Sequence, residues 1–99
     1  MKKLFISQPM KDKSNAVIQY ERKCALEKAR EILGEDVELI DSFFQDAPHD
    51  AKPLWFLGKS LELLSTADAV YFANGWENYR GCKIEHECAV QYGLNIIND

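Results

Sequence analysis

Short apolar runs recur along this chain, separated by stretches of helical period. KLFIS (residues 3–7), DVELIDS (36–42), DAVYFAN (68–74) and LNII (94–97) each stop at or near a turn former. Consecutive apolar side chains without alternation suit a strand covered on both faces, where neither face meets water. Pro9 ends the first run, since it cannot continue a ladder. Between the runs lie DKSNAVIQYERKCALEKAREILG, LWFLGKSLELLSTA (54–67) and RGCKIEHECAVQYG (80–93). In the first of these, Val17, Tyr20, Cys24, Ala25, Leu26, Ala29, Ile32 and Leu33 recur at helical spacing. Ser14 or Asp12 can cap its start, and Gly34 its end. Gly58 weakens the second helix, and Gly93 closes the third. Strand–helix alternation from end to end predicts a parallel sheet with helices on both faces. The expected architecture is therefore three-layer α/β, in one domain over residues 1–99.

Composition excludes several classes. The apolar fraction of 46% is that of an ordinary globular domain. A net charge of −4 argues against binding nucleic-acid polymers, which calls for a basic face, but leaves room for a small anionic ligand held by local cations. Cys24, Cys82 and Cys88 are odd in number and form no CxxC pair, which fits a reducing cytosol. The start, MKKLFISQPM, has too short an apolar run for a signal peptide, and no run approaches the roughly 20 residues of a membrane helix. The expectation is a cytoplasmic protein with no membrane partner.

Parallel sheets bind ligands beyond the carboxyl ends of their strands. Those ends are Ser7-Gln8-Pro9-Met10, Asp41-Ser42-Phe43 and Asn74-Gly75-Trp76. On the third helix, at about 100° per residue, Glu85 shares a row with Ala89 and Tyr92 beside the apolar stripe, while Glu87 points elsewhere. Glu85 and Glu87 are thus no acid/base pair. A carboxylate in the first turns of a helix is either plain helix chemistry or a functional group near free N–H donors. Gly75 and Gly81 permit close backbone approach to a ligand. Arg80, Lys11 and Lys13 can hold a phosphate or carboxylate, or be ordinary surface charges. Trp76, Phe43 and Phe44 can stack on a base, cap the core or form an oligomer contact, and Trp55 reads as core or interface. Cys82 and His86 have the spacing of two helical metal ligands, but no third and fourth ligand is evident beside His49, so no metal is expected. His86 and Glu87 read as solvated or interfacial.

Three blocks, KLFISQPM, LLSTADAVYFANGW and RGCKIEHECAVQYGLNII, cover about half the chain. In order and spacing they resemble the nucleoside 2-deoxyribosyltransferase-like superfamily, and more closely its small bacterial and phage branch of the DUF4406 type. The resemblance implies a small Rossmann-like (flavodoxin-like) sandwich with a four- to five-stranded, mainly parallel sheet. Characterised relatives cleave the bond between a base and a deoxyribose with a glutamate set in a pattern like G-x-x-x-E-x-G-x-A. Gly81, Glu85 and Ala89 match three of its positions. Glu85 thereby resembles the nucleophile that attacks C1′ as the base leaves, the logic of a retaining glycosidase. Ser7, Gln8, Pro9 and Met10 look like the floor for sugar and base, and Lys11 falls where phosphate-using relatives hold a cation. The chain also departs from the pattern. Glu87 replaces the second glycine, and Lys83 stands where a glycine often precedes the glutamate. Ser60 occupies the place of an aspartate that handles the leaving base, with Glu62 facing another way. Asp68 matches a structural aspartate.

The implied activity is an N-glycosidase or 2-deoxyribosyltransferase acting on a nucleoside or nucleoside 5′-monophosphate, with no cofactor. On this reading Glu85 is expected to be catalytic, and Ser7, Gln8, Pro9, Met10, Asp41, Gly75, Trp76, Arg80 and Gly81 to bind substrate. Asp41, His49 or a water would then protonate the base. The alternative is a non-catalytic nucleotide- or metabolite-binding protein of the same fold. The resemblance also implies a homodimer or higher homo-oligomer.

Overall fold

The computed structural model describes residues 1–98. Its elements run β1 (Lys2–Ser7), α1 (Asn15–Leu33), β2 (Val37–Leu39), α2 (Pro53–Leu64), β3 (Ala69–Phe72), a 3-10 turn (Trp76–Asn78) and α3 (Arg80–Gln91). All strand pairs are parallel, in the order β2-β1-β3. Lys2 to Leu4 face Val37 to Leu39, and Leu4 to Ser7 face Ala69 to Phe72.

Local chemistry sets the boundaries. Ser14 Oγ accepts the Val17 N–H at 3.2 Å and starts α1. Gly34, at φ +69°, ends it and donates to the Arg30 carbonyl. Pro53 opens α2, where its missing N–H costs nothing. Asp68 accepts the Lys3 N–H on its carboxylate at 2.8 Å, tying the start of β3 to β1.

Two apolar layers sandwich the sheet. Leu4, Ile6, Val37 and Tyr71 pack against Ala25 and Ala29 of α1. Phe5, Val70 and Phe72 pack on the other face with Leu64 of α2 and Ala89 of α3. Side chains alternate along a strand, so β1 sends Ile6 to α1 and Phe5 to the α2–α3 side.

The sheet is smaller than the expected four to five strands. Leu94–Ile97 reaches β3 only through a single parallel bridge, Val70 to Ile96. Asn95 O accepts from Val70 N–H at 2.8 Å, and Ile97 N–H returns to Val70 O at 2.9 Å. One pair further on, a side chain takes over. The Asn98 amide accepts the Phe72 N–H at 3.0 Å and donates to the Phe72 carbonyl at 2.7 Å. It satisfies both backbone groups that a fourth strand would have paired.

The connections fix where a crevice can form. α1 covers one face in passing from β1 to β2, and α2 covers the other in passing from β2 to β3. The direction of winding reverses at β1, so the β1–β3 carboxyl ends form the switch point.

Candidate functional site

The row Cys82, Glu85 and Ala89 is the buried stripe of α3. On β1, Ser7 lies two residues beyond Phe5 and shares its face. The two elements meet where Ser7 Oγ donates to Glu85 Oε1 at 2.6 Å. Glu85 is only 7% exposed. Burial pushes its carboxyl above the ordinary glutamate range, since losing water penalises the charged form. Hydrogen bonds from the Ser7 and Ser60 hydroxyls pull the other way without cancelling that effect. Ser60, half-buried on α2, is therefore a neighbour of Glu85. Cys82 is buried beside them, and desolvation raises its thiol to about 11, opposed by Ser7 and by the charge of Lys13. Lys13 is the local cation. It pairs with Glu21 at 2.9 Å and lies 5.9 Å from the centre of the Tyr79 ring. Lys11 is exposed.

Such a carboxyl can act in two ways. Protonated, it is a general acid. Ionised, it is poorly solvated and correspondingly reactive toward an electrophile or cationic centre.

Beside it stands an aromatic stack. Gly75, at φ +88°, turns the chain out of β3 into the 3-10 turn that carries Trp76. Trp76 lies on His86 with ring centres 4.2 Å apart and planes within 14°. Phe72 packs tilted against Trp76 at 5.2 Å and edgewise on His86 at 4.9 Å. His86 is thus half-buried in an aromatic contact rather than fully solvated. Glu87 is exposed and accepts from Gln91 at 3.1 Å.

The expected substrate-binding residues divide into groups. Ser7 joins Glu85 directly. Gln8 and Pro9 are buried and Met10 half-buried at the same strand end. Gln8 turns toward α1, donating to the Ile18 carbonyl at 2.6 Å. Gly75 and Trp76 lie next to α3 through the ring stack, while Arg80 and Gly81 are exposed in its first turn. Asp41 is exposed and accepts the Phe43 N–H at 3.3 Å. It lines a groove beneath α1 and is no partner of Glu85. His49 is exposed on the long loop.

Sequence reasoning missed Arg22. Ile18, Arg22, Ala25 and Ala29 form the buried row of α1, so Arg22 points at the sheet. That spacing was the available signal. Its guanidinium donates to Ile40 O at 2.7 Å, Ser42 Oγ at 3.2 Å and Gln8 Oε1 at 3.4 Å.

Among the described residues no group of three or more His, Cys, Asp or Glu could hold a metal ion. Among them no helix is long and apolar enough to cross a membrane. No curated protein matches the chain. One family model, described as "Domain of unknown function (DUF4406)", matches residues 2–98. The match takes in every element around Glu85, and the chain belongs to the DUF4406 family.

Proposed function

We propose that the protein binds a nucleoside or nucleoside 5′-monophosphate at the β1–β3 crevice and breaks its N-glycosidic bond. The observation that carries this reading is Glu85: a desolvated carboxyl held by Ser7 at the carboxyl end of the central strand. In this scheme ionised Glu85 attacks C1′. The C1′–N bond breaks and its electron pair leaves with the base, which takes up a proton from water. Attack by water on the glycosyl ester gives hydrolysis, and attack by a second base gives transfer; either restores the carboxylate. The developing positive charge at C1′ is stabilised by a carboxylate that water does not screen. Ser7 orients that carboxylate. In this scheme Pro9 and Met10 form the floor, Gln8 buttresses it from the α1 side, and Gly75, Trp76, Arg80 and Gly81 form the far wall.

A second reading has its own support. Ser60, rather than a second carboxyl, meets Glu85, and Glu85 is nearly closed to solvent. A site of that kind suits a binding protein that holds a nucleotide without cleaving it.

Incubation with a panel of deoxynucleosides and their 5′-monophosphates, with and without a second free base, separates the two. Chromatography reads the products, with Glu85→Gln alongside. Base release or exchange that vanishes in Glu85→Gln supports the enzyme. Saturable nucleotide binding without release supports the binding protein. No binding of any member of the panel ends both readings.

A further inference from the structure

Arg22 is 5% exposed and carries a full charge, because a guanidinium stays protonated at any physiological pH. A buried cation normally faces a carboxylate, since the cost of desolvation is otherwise uncompensated. Among the described residues, no carboxylate lies within ion-pair distance of Arg22. Its hydrogen-bond partners are neutral acceptors: the Ile40 carbonyl, the Ser42 hydroxyl and the Gln8 amide oxygen. The charge of Asp41 acts on it without an ion pair and does not offset the cost of burial. A guanidinium has about five N–H donors, and these three bonds leave roughly two of them over.

The residue also forms part of the wall of a groove of about 340 Å³ between α1 and the edge strand β2, lined by Gln19, Arg22, Lys23, Leu26, Leu39 and Asp41. That volume falls at the lower end of small-ligand clefts, which span about 300–1,000 Å³. Leu26 and Leu39 give the groove an apolar part. Lys23 adds a second, exposed cation, and Gln19 an amide. Asp41 supplies the only negative charge in the lining. The groove opens on the α1 side of the sheet, whereas Glu85 lies on the α2–α3 side.

We propose that this groove is a second ligand site, binding a small organic oxyanion whose charged end meets Arg22 and Lys23 and whose apolar body rests on Leu26 and Leu39. An oxyanion suits the guanidinium because its planar fork matches both carboxylate and phosphate. The anion supplies the opposite charge that the folded chain does not place within ion-pair range of Arg22. The site is independent of any chemistry at Glu85.

Phenyl phosphate and benzoate serve as probes, each titrated into the isotopically labelled full chain against sodium chloride of matched ionic strength. The two probes share the apolar body and distinguish a phosphate monoester from a carboxylate. The expected result is saturable binding of at least one probe, with amide shifts confined to residues 19–26 and 39–42. Lys23→Glu, at an exposed position, weakens that binding by about tenfold or more while melting normally. Arg22→Met abolishes it, and if that variant fails to fold, Lys23→Glu decides alone. Absence of saturable binding, shifts that chloride reproduces, shifts centred on residues 74–86, or full affinity in Lys23→Glu would each overturn the proposal. Neither probe is a nucleoside and no turnover is read, so failure here is distinct from failure of the glycosidase reading.

Discussion

Ser7 and Glu85 stand 78 residues apart in the chain, and their side-chain oxygens are 2.6 Å apart in the fold. The contact ties α3 to the end of the central strand. It holds a carboxyl whose burial favours the protonated form.

That preference has a definite sign. A carboxyl with a raised folded pKa keeps its proton in the folded chain at pH values where the unfolded chain has released it. Stability then falls as pH rises from the ordinary glutamate range through the folded value, and is level above it. Glu85→Gln removes the titration while still accepting a hydrogen bond from Ser7. The variant is expected to gain stability over wild type at neutral pH and to lose that advantage toward pH 4. Urea midpoints between about pH 4 and pH 8 read the effect. Parallel curves for the two proteins would show that Glu85 titrates alike in both states.

Thiol chemistry tests the same neighbourhood. Cys82 is buried and its thiol is raised to about 11, so almost none of it is thiolate near neutral pH. Cys24 and Cys88 are only half-buried. Alkylation with iodoacetamide, followed by mass spectrometry of peptides, should label Cys24 and Cys88 first. Cys82 should react only at the rate of unfolding, and denaturant should make the three equal.

Much of this arrangement is legible in the sequence, for identifiable reasons. Buried parallel strands need unbroken apolar runs, and KLFIS and DAVYFAN mark β1 and β3 closely. The helical row puts Glu85 beside an apolar stripe, whereas in the fold it lies in the buried stripe itself, with Cys82 and Ala89, and Tyr92 of its row is exposed. Its partner could not be read, because which residue meets Glu85 depends on a strand register and a helix docking 78 residues away. LNII looked like another strand because its apolar character was visible while the competing Asn98 side chain was not. Arg22 lay in plain helical register with Ile18, Ala25 and Ala29. A charge is ordinarily assigned to solvent, and the acceptors that draw this one inward come from β1 and β2 loops. The ring stack on His86 is not readable in the sequence, because its partner Trp76 arrives on a 3-10 turn, which has no periodicity to read.

The Trp76–His86–Phe72 stack should matter for stability as well as for any ligand. Trp76 is half-buried, so truncation removes less apolar contact than a core tryptophan would. Trp76→Ala is expected to cost about 2 kcal/mol, read from the urea midpoint. Trp76→Phe keeps an aromatic face on His86 and should recover more than half. If both variants lose equally, the indole edge rather than the stack carries the stability.

Asn98 offers the sharpest test of how the sheet ends. Its amide both accepts from Phe72 N–H and donates to Phe72 O, so the two bonds require a donor and an acceptor on one side chain. Asn98→Ala loses both and should cost about 1–2 kcal/mol. The Phe72 amide should then lose protection in hydrogen exchange relative to Val70, whose N–H is held by Asn95 O at 2.8 Å. Asn98→Asp keeps the shape and the acceptor. At neutral pH its second oxygen is another acceptor facing a carbonyl, so it repels where the amide donated. The aspartate variant should therefore be no better than alanine at neutral pH. It should recover as pH falls through the carboxylate range and the side chain regains a donor proton. A pH-independent Asn98→Asp variant would mean that the amide nitrogen contributes nothing, and that the segment is held by the Val70–Ile96 bridge alone.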